Sequence, residues 1–408
     1  MHREGSGKYS SSVSRDSHST DSDSTHSDSG FSSPTWSVGT ESLASNVSLC
    51  DIRAGQSLSL SSLVATGILN KAAHFPVSSA IADSEQNGAT SRFHLDGGSQ
   101  PGNLFLRSVP QLLLYDDKGL ELFERLADVK EYYVPEAEVD ILQRCAWDMM
   151  QACVKDGGVL IELGVGSMKK TRYLLDAIVS QGKQVTYFAL DLSEASLSSA
   201  LCALADLYPS IQFVGLQGTY DDALAYIQHH IPREKETSRT LLWLGTSIGN
   251  STREEAIEFC TRVRETVLSK DDSFLIGIDG RNPAAIVKPA YDDPSGITRD
   301  FILNGLRHVE RLLGYAEGAA LPLPGFEYVG LYNEVLGRHE AYLRSLKQHS
   351  LEVEGVLVTL EKGELLCVEY SVKYDKGDVD RLANGAGLRW VGEWRDLEDR
   401  YSLHCFQK

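Results

Sequence analysis

Between Val159 and Ile278 the chain alternates short apolar runs with segments whose apolar residues recur every three or four positions. Val159–Leu163, Val185–Leu190, Ile211–Val214, Leu241–Leu244 and Phe274–Ile278 are apolar runs of strand length. Between them, Lys170–Val179, Ser193–Leu207, Tyr220–Ile231 and Glu254–Leu268 have helical spacing, as in Leu174, Leu175 and Ile178. A strand covered on both faces needs no polar alternation, and its crossover helix needs one apolar stripe. The pattern therefore predicts an α/β fold with a doubly wound, largely parallel sheet.

Upstream, Leu60–Leu69, Gly119–Leu126 and Glu136–Val154 read as helices, the last carrying Ala137, Ile141, Cys145 and Met149 at helical spacing. Downstream, 282–408 mixes helices with strands near Leu357–Leu360, Leu366–Tyr374 and Leu403–Phe406, an α+β pattern. Two stretches have no such periodicity. From Met1 to about Ser45 the chain is mostly Ser, Thr, Asp, Gly and His, and His74–Asn103 is rich in Ser, Gly and Asn. Neither holds enough apolar surface to offset the entropy of ordering. The expected organisation is a disordered tail over 1–48 and an N-terminal helical part of a substrate domain over 49–153, with 74–103 a flexible insertion. A cofactor-binding sheet follows over 154–281, and 282–408 completes both the substrate domain and the sheet.

Charge narrows the partners. A net charge of −18 and a pI near 5.1 argue against nucleic acid or an anionic membrane surface. The seven cysteines are scattered without ligand spacing, so neither a disulfide framework nor a metal site is expected. His229, His230, His339 and His349 also lack ligand spacing and read as solvated or capping residues. With no signal-like start and no apolar run of about 18 residues, the expectation is a cytoplasmic protein, a monomer or weak homodimer, acting on a small molecule.

The chemistry begins at Glu162-Leu163-Gly164-Val165-Gly166, just after the first strand. Glycines there let the backbone approach a ligand closely. The third glycine of a dinucleotide fingerprint is missing, which counts against a dinucleotide-dependent oxidoreductase. Asp191 ends the second strand, where a carboxylate can accept hydrogen bonds from both ribose hydroxyls. Acidic residues at Glu162 and Asp191 suit a cationic sulfonium nucleoside better than a diphosphate. After the fourth strand, Leu244-Gly245-Thr246-Ser247-Ile248-Gly249-Asn250 offers a second glycine turn with Ser247 and Asn250, or else Asn250 with Ser251-Thr252 caps the next helix. Tyr291-Asp292-Asp293-Pro294 reads as a turn. Glu369 and Ser371 share one face of a strand, as a pocket group or a solvated edge.

Together these stretches, with Leu114-Tyr115-Asp116, Glu131-Tyr132-Tyr133, Lys170-Thr171-Arg172 and Glu369 to Tyr374, resemble the histidine-specific, SAM-dependent methyltransferases. That family includes histidine α-N-methyltransferases of the ergothioneine pathway and 4-dimethylallyltryptophan N-methyltransferases of alkaloid secondary metabolism. The resemblance implies a Rossmann-like sheet with a smaller α+β domain, and S-adenosyl-L-methionine as cofactor. It implies that Gly164, Lys170 and Asp191 sit on the cofactor, with Glu162, Gly166 and Gly245 alongside. Tyr115, Tyr132, Asn250 and Tyr291 would hold the acceptor's amine and carboxylate, with Ser247 nearby. Asn250, Tyr115 and Tyr291 would be the catalytic set. Glu369 and Ser371 resemble the pair that reads imidazole in the histidine enzymes.

Two departures point elsewhere. Gly218-Thr219-Tyr220-Asp221-Asp222 replaces the Gly-Asp-Phe of the histidine enzymes, which leaves open whether Gly218, Thr219 or a neighbour meets adenine. Ala341 stands where those enzymes have a larger methionine, leaving room for a bulkier side chain. The expected activity is N-methylation of the α-amine of a free aromatic amino acid, a tryptophan derivative ahead of histidine. The rival from another class is a non-catalytic, SAM-binding regulatory protein.

Overall fold

In the computed structural model, which describes residues 37–39, 44–53, 59–74, 104–166, 168–231 and 238–408, the apolar runs form strands as the pattern predicts. Numbered along the chain, the strands are β1 (Ser37–Gly39), β2 (Val47–Asp51), β3 (Ala72–His74), β4 (Leu104–Ser108), β5 (Gly158–Leu163), β6 (Val185–Asp191), β7 (Gln212–Gln217), β8 (Arg239–Trp243), β9 (Ser273–Asp279), β10 (Phe326–Asn333), β11 (Arg338–Ser345), β12 (His349–Val353), β13 (Val356–Leu360), β14 (Leu365–Val372), β15 (Arg389–Arg395) and β16 (Tyr401–Gln407). Most of the expected tail and all of the insertion beyond His74 lie outside the described residues. β1 and β2 do reach into the stretch read as tail.

The main sheet has the order β1-β2-β7-β6-β5-β8-β9-β16-β15. From β2 to β9 the neighbours run parallel, while β16 and β15 return antiparallel. β5, β8 and β9 are buried along their whole length, which explains their unbroken apolar runs. The chain steps outward from β5 through β6 to β7, then crosses back to β8 and β9 on the other flank. In such a sheet ligands bind outside the strand carboxyl ends where the order reverses. Helices Val134–Cys153, Thr171–Ser180 and Glu194–Leu207 cover one face around Ile141, Leu174, Leu201 and Tyr187. Helices Tyr220–His230, Arg253–Arg262 and Lys376–Ala386 cover the other around Ile227, Phe259, Leu382 and Phe274. Val134–Cys153 was expected in the substrate part, but its apolar stripe of Ile141, Leu142 and Met149 packs on this sheet instead.

A second sheet, β10-β11-β14-β4-β3, is backed by helices Leu60–Leu69, Asp117–Ala127 and Ile297–Leu312. Their common core holds Val64, Leu113, Leu122, Phe301 and Leu343. Ala341 pairs with Glu369 but Tyr342 pairs with Cys367, so Val368 is an extra residue in β14. Such a bulge flips the side-chain alternation beyond it. It leaves Glu369 and Ser371 facing the same side as Leu343 and Leu366, beside helix Ile297–Leu312. Just past β14, the Tyr374 N–H donates to the Asp279 carbonyl at 3.0 Å and the Arg281 N–H to the Tyr374 carbonyl at 3.0 Å. The end of the second sheet is thereby stitched to the end of β9.

Candidate active site

Gly164 and Gly166 hold left-handed φ angles of 75° and 53°, a conformation costing an L side chain on the order of 1 kcal/mol. The Gly164 N–H donates to the Leu190 carbonyl at 3.0 Å, fastening the turn to the end of β6. There the Asp191 carboxylate accepts from the Gly166 N–H at 3.2 Å and the Leu192 N–H at 2.7 Å. The Ser193 N–H also donates to Oδ1 at 3.4 Å, Oδ2 keeps a lone pair, and both glycines are exposed. This cradle of bare backbone beside one acidic side chain fits a nucleoside diol.

Glu162 lies on the far side of that turn. It is 2 % exposed, and its Oε2 accepts from the Tyr187 hydroxyl at 2.7 Å and the Thr171 hydroxyl at 2.9 Å. Glu162 braces the turn from beneath. Burial pushes its carboxyl up from 4.5 to about 7. The unfolded chain therefore loses this proton first, and folding stability falls as pH rises from about 4.5 to about 7, then levels. Relative to Glu162→Gln, which keeps an acceptor for both hydroxyls, the wild type should lose roughly 2–3 kcal/mol between about pH 5 and about pH 8. Urea denaturation of both proteins at the two pH values measures this. A difference independent of pH would refute it.

The loop after β7 carries the residues left open for adenine. Thr219 caps helix Tyr220–His230 in a reciprocal box with Asp222, whose Oδ2 accepts the Thr219 hydroxyl at 2.7 Å. Gly218 stands where a Cβ would come within 2.8 Å of Ile52. Neither expected cofactor residue offers a free side-chain group. The next residue, Tyr220, has its hydroxyl against Gly164, 3.0 Å from where a Cβ would stand. Its ring is braced edge-on by Trp243 at 5.8 Å.

The loop after β8 rests on a carboxylate that the sequence reading missed. Glu138, fully buried, accepts from the Gly245 N–H at 2.7 Å and the Tyr401 hydroxyl at 2.7 Å, and pairs with the Lys170 ammonium. The Tyr401 hydroxyl oxygen also lies 2.5 Å from the Gly245 carbonyl oxygen. Gly277 permits this, since a Cβ there would come within 1.9 Å of the Tyr401 hydroxyl. Lys170 therefore serves this clamp at the rim of the cleft. An acidic residue on the apolar stripe with Ile141 and Leu142 was the available signal for Glu138. Ser247 opens a short 3-10 turn that ends at Asn250. Thr252, boxed with Glu255, caps the next helix. The capping role considered for Asn250 thus falls to Thr252, and Asn250 is exposed.

The tyrosines singled out in the sequence sit in an aromatic group. The Tyr115 ring packs edge-on against Phe123 at 5.9 Å and Phe301 at 5.8 Å, and Tyr132 meets Tyr291 edge-on at 5.8 Å. Into this group β14 delivers Glu369, whose Oε1 accepts from the Gln111 amide at 2.6 Å. Burial pushes the Glu369 carboxyl up to about 7. Ala341, opposite Glu369, is 0 % exposed, so the room expected beside it is not open to solvent. Ser371 is 2 % exposed and bonded to the Tyr291 hydroxyl at 2.9 Å and the Lys373 ammonium at 2.9 Å. It shares the face of Glu369 and is tied to these two partners.

Lys373 is itself fully buried, donates to the Tyr291 hydroxyl at 2.6 Å and pairs with Asp279 at 2.5 Å. His339 stacks on the Tyr291 ring at 4.4 Å, and burial pushes its imidazole down to about 3, so it is neutral. His349 is buried too, stacked on Phe326 at 4.6 Å. Neither is solvated or capping as expected, because the alternate faces of β11 and β12 carry them inward. His229 and His230 are exposed in the last turn of their helix. The Asp293 carboxylate accepts from the Thr298 N–H at 2.7 Å and the Ile297 N–H at 3.1 Å. Burial alone would raise it, yet these bonds and the Ser295 hydroxyl hold it at about 2. The Asp-Pro turn thus fixes Tyr291 at the mouth of the next helix.

Residues 99–408 match the family of histidine-specific, SAM-dependent methyltransferases. The chain belongs to that family. Its cofactor is accordingly S-adenosylmethionine. The chain is 37% identical over 305 residues to the ergothioneine biosynthesis protein 1 of Neurospora crassa, covering 74% of this chain but only 33% of that protein. It is 31% identical to the L-tryptophan methyltransferase of Psilocybe serbica, covering 73% of this chain and 87% of that one. It is also 31% identical to the histidine N-alpha-methyltransferase of Mycobacterium tuberculosis, covering 74% and 91%. Among the described residues no helix is long and apolar enough to cross a membrane.

Proposed function

We propose that this methyltransferase transfers methyl to the α-amine of a free aromatic amino acid, with tryptophan or a ring-substituted tryptophan such as 4-dimethylallyltryptophan ahead of histidine. Relatives named for tryptophan and for histidine methylation support the amino-acid class. The observation that carries the choice is the occupation of Ser371. Imidazole has one ring N–H and one acceptor nitrogen, and a buried site must meet both. Indole has a single N–H. Glu369 supplies one carboxylate facing the aromatic group, while Ser371 is held by Lys373 and Tyr291. A carboxylate that can accept one ring N–H, with Ser371 already tied to Lys373 and Tyr291, suits indole.

The bound cofactor supplies an activated methyl on a sulfonium, so the new N–C bond forms as the C–S bond breaks and its electron pair stays on sulfur. The chain's residues supply alignment and dryness rather than a nucleophile. Asn250, exposed at the end of its turn, and the hydroxyls of Tyr115 and Tyr291 hold the neutral amine with its lone pair aimed at the cofactor cleft. The rings of Tyr115, Phe123, Tyr132 and Phe301 exclude water around the acceptor's side chain.

Mass spectrometry of the protein incubated with labelled methyl donor and a panel of free amino acids tests the reading. Methylated tryptophan or 4-dimethylallyltryptophan is expected. Methylation of histidine alone would overturn the choice of ring, and donor binding without turnover on any amine would favour a regulatory protein.

A further inference from the structure

We propose that the buried Lys373–Asp279 pair positions the Tyr291 hydroxyl for the acceptor amine, making Lys373 a positioning residue of the transfer. This rests on the function proposed above. Lys373 comes from the end of β14 and Asp279 from the end of β9, and both are at most 1 % exposed. Nζ lies 2.5 Å from Asp279, 2.6 Å from the Tyr291 hydroxyl and 2.9 Å from Ser371 Oγ, so all three ammonium hydrogens have partners. The Asp279 Oδ1 is itself held by the Tyr133 hydroxyl at 2.7 Å.

Removing two charges from water is costly, and a buried ion pair is seldom the most stable solution for a core. Packing alone therefore gives a weak reason for this one. Its geometry gives a better one. Lys373 donates to the Tyr291 oxygen and so occupies one of its lone pairs. With His339 stacked on the ring at 4.4 Å, ring plane and hydroxyl are both fixed. Ser371 is tied to the same ammonium at 2.9 Å. The backbone bridge between Tyr374 and Asp279 ties this anchor to the sheet that carries the cofactor turn. Tyr291 is thus referenced to the cofactor sheet although the helix ending at Tyr291 lies against β10 and β11.

The test uses the full chain with Lys373→Met and with the double variant Asp279→Asn/Lys373→Met. The double variant leaves no uncompensated buried charge, so it is expected to fold with a thermal midpoint near that of the wild type. If Lys373 positions Tyr291, kcat stays about 10²-fold down in both variants, while S-adenosylmethionine affinity by calorimetry is unchanged. In a Tyr291→Phe background the lysine substitution should then add no further loss. Wild-type kcat in the double variant, or a full additional loss in the Tyr291→Phe background, would overturn the proposal. Tyrosine labelled with carbon-13 at the ζ position gives a second reading, with the Tyr291 resonance identified by its disappearance in Tyr291→Phe. That resonance is expected to shift in Lys373→Met, and an unmoved resonance overturns the proposal. This holds whether or not any amino acid is methylated, so failure of the proposed function is seen separately, as a wild type without turnover.

Discussion

Asp191→Ala is expected to weaken S-adenosylmethionine binding by about 10²-fold or more, with little change in thermal stability. Hydrogen bonds to a charged acceptor are worth roughly 1.5–3 kcal/mol each. Two ribose hydroxyls on a partly exposed carboxylate therefore give about 3 kcal/mol, or about a hundredfold. The same change frees the Gly166 N–H, now bonded to Asp191 at 3.2 Å, and loosens the turn that approaches the cofactor. Asn250→Ala is the contrast. Asn250 is exposed, and Thr252 already caps the following helix. Its loss should leave donor affinity intact and raise the acceptor KM by roughly tenfold, one neutral hydrogen bond. Calorimetry with the donor, followed by steady-state kinetics, separates the two. Equal donor affinity in wild type and Asp191→Ala would remove Asp191 from the cofactor site.

The contrast between Asp191 and Glu162 marks what a sequence can and cannot convey. Strands β5, β8 and β9 were legible because strands buried along their whole length are largely apolar. β15, Arg389–Arg395, was not, since most of its residues are exposed or half-exposed and its pattern is polar. Strand ends were legible too, and with them Asp191 and the glycine turn. The direction of a carboxylate at such an end was not. Glu162 points under the turn to Tyr187 and Thr171, whereas Asp191 is half-buried beside Gly166. The same limit applies to Ser371 and Ala341. Alternation put Ser371 on the face of Glu369, but its partners Lys373 and Tyr291 come from separate stretches of chain. Residue size suggested space beside Ala341, yet burial is a property of the neighbours. Glu138, Tyr401, Asp279 and Lys373 each look like an isolated polar residue in the sequence, and only tertiary pairing gives them work. The family resemblance carried the rest of the candidate set, and the structure gathers Tyr115, Tyr132, Tyr291 and Glu369 around one aromatic group.

Glu369→Ala is expected to lower kcat/KM for the acceptor by about 10²-fold, because it leaves a buried ring N–H without an acceptor and the Gln111 amide without its partner. Glu369→Gln is the finer test. With the carboxyl pushed by burial to about 7, it is largely neutral in mildly acid solution and ionised in mildly alkaline solution. A charged acceptor binds a ring N–H roughly twice as strongly as a neutral one. The wild type should therefore gain on Glu369→Gln as pH rises through about 7, from near parity at about pH 6 to about tenfold at about pH 8. The acceptor's own amine also titrates, but equally for both proteins, so the ratio of their kcat/KM values isolates the carboxyl. Tryptophan gives the clean measurement, since its indole does not titrate in this range. An imidazole would change charge near pH 6.5 and superimpose a second transition on the ratio. A ratio that stays constant across this range would mean that the Glu369 charge is not what meets the ring N–H. The preference for indole would then rest on Ser371 alone.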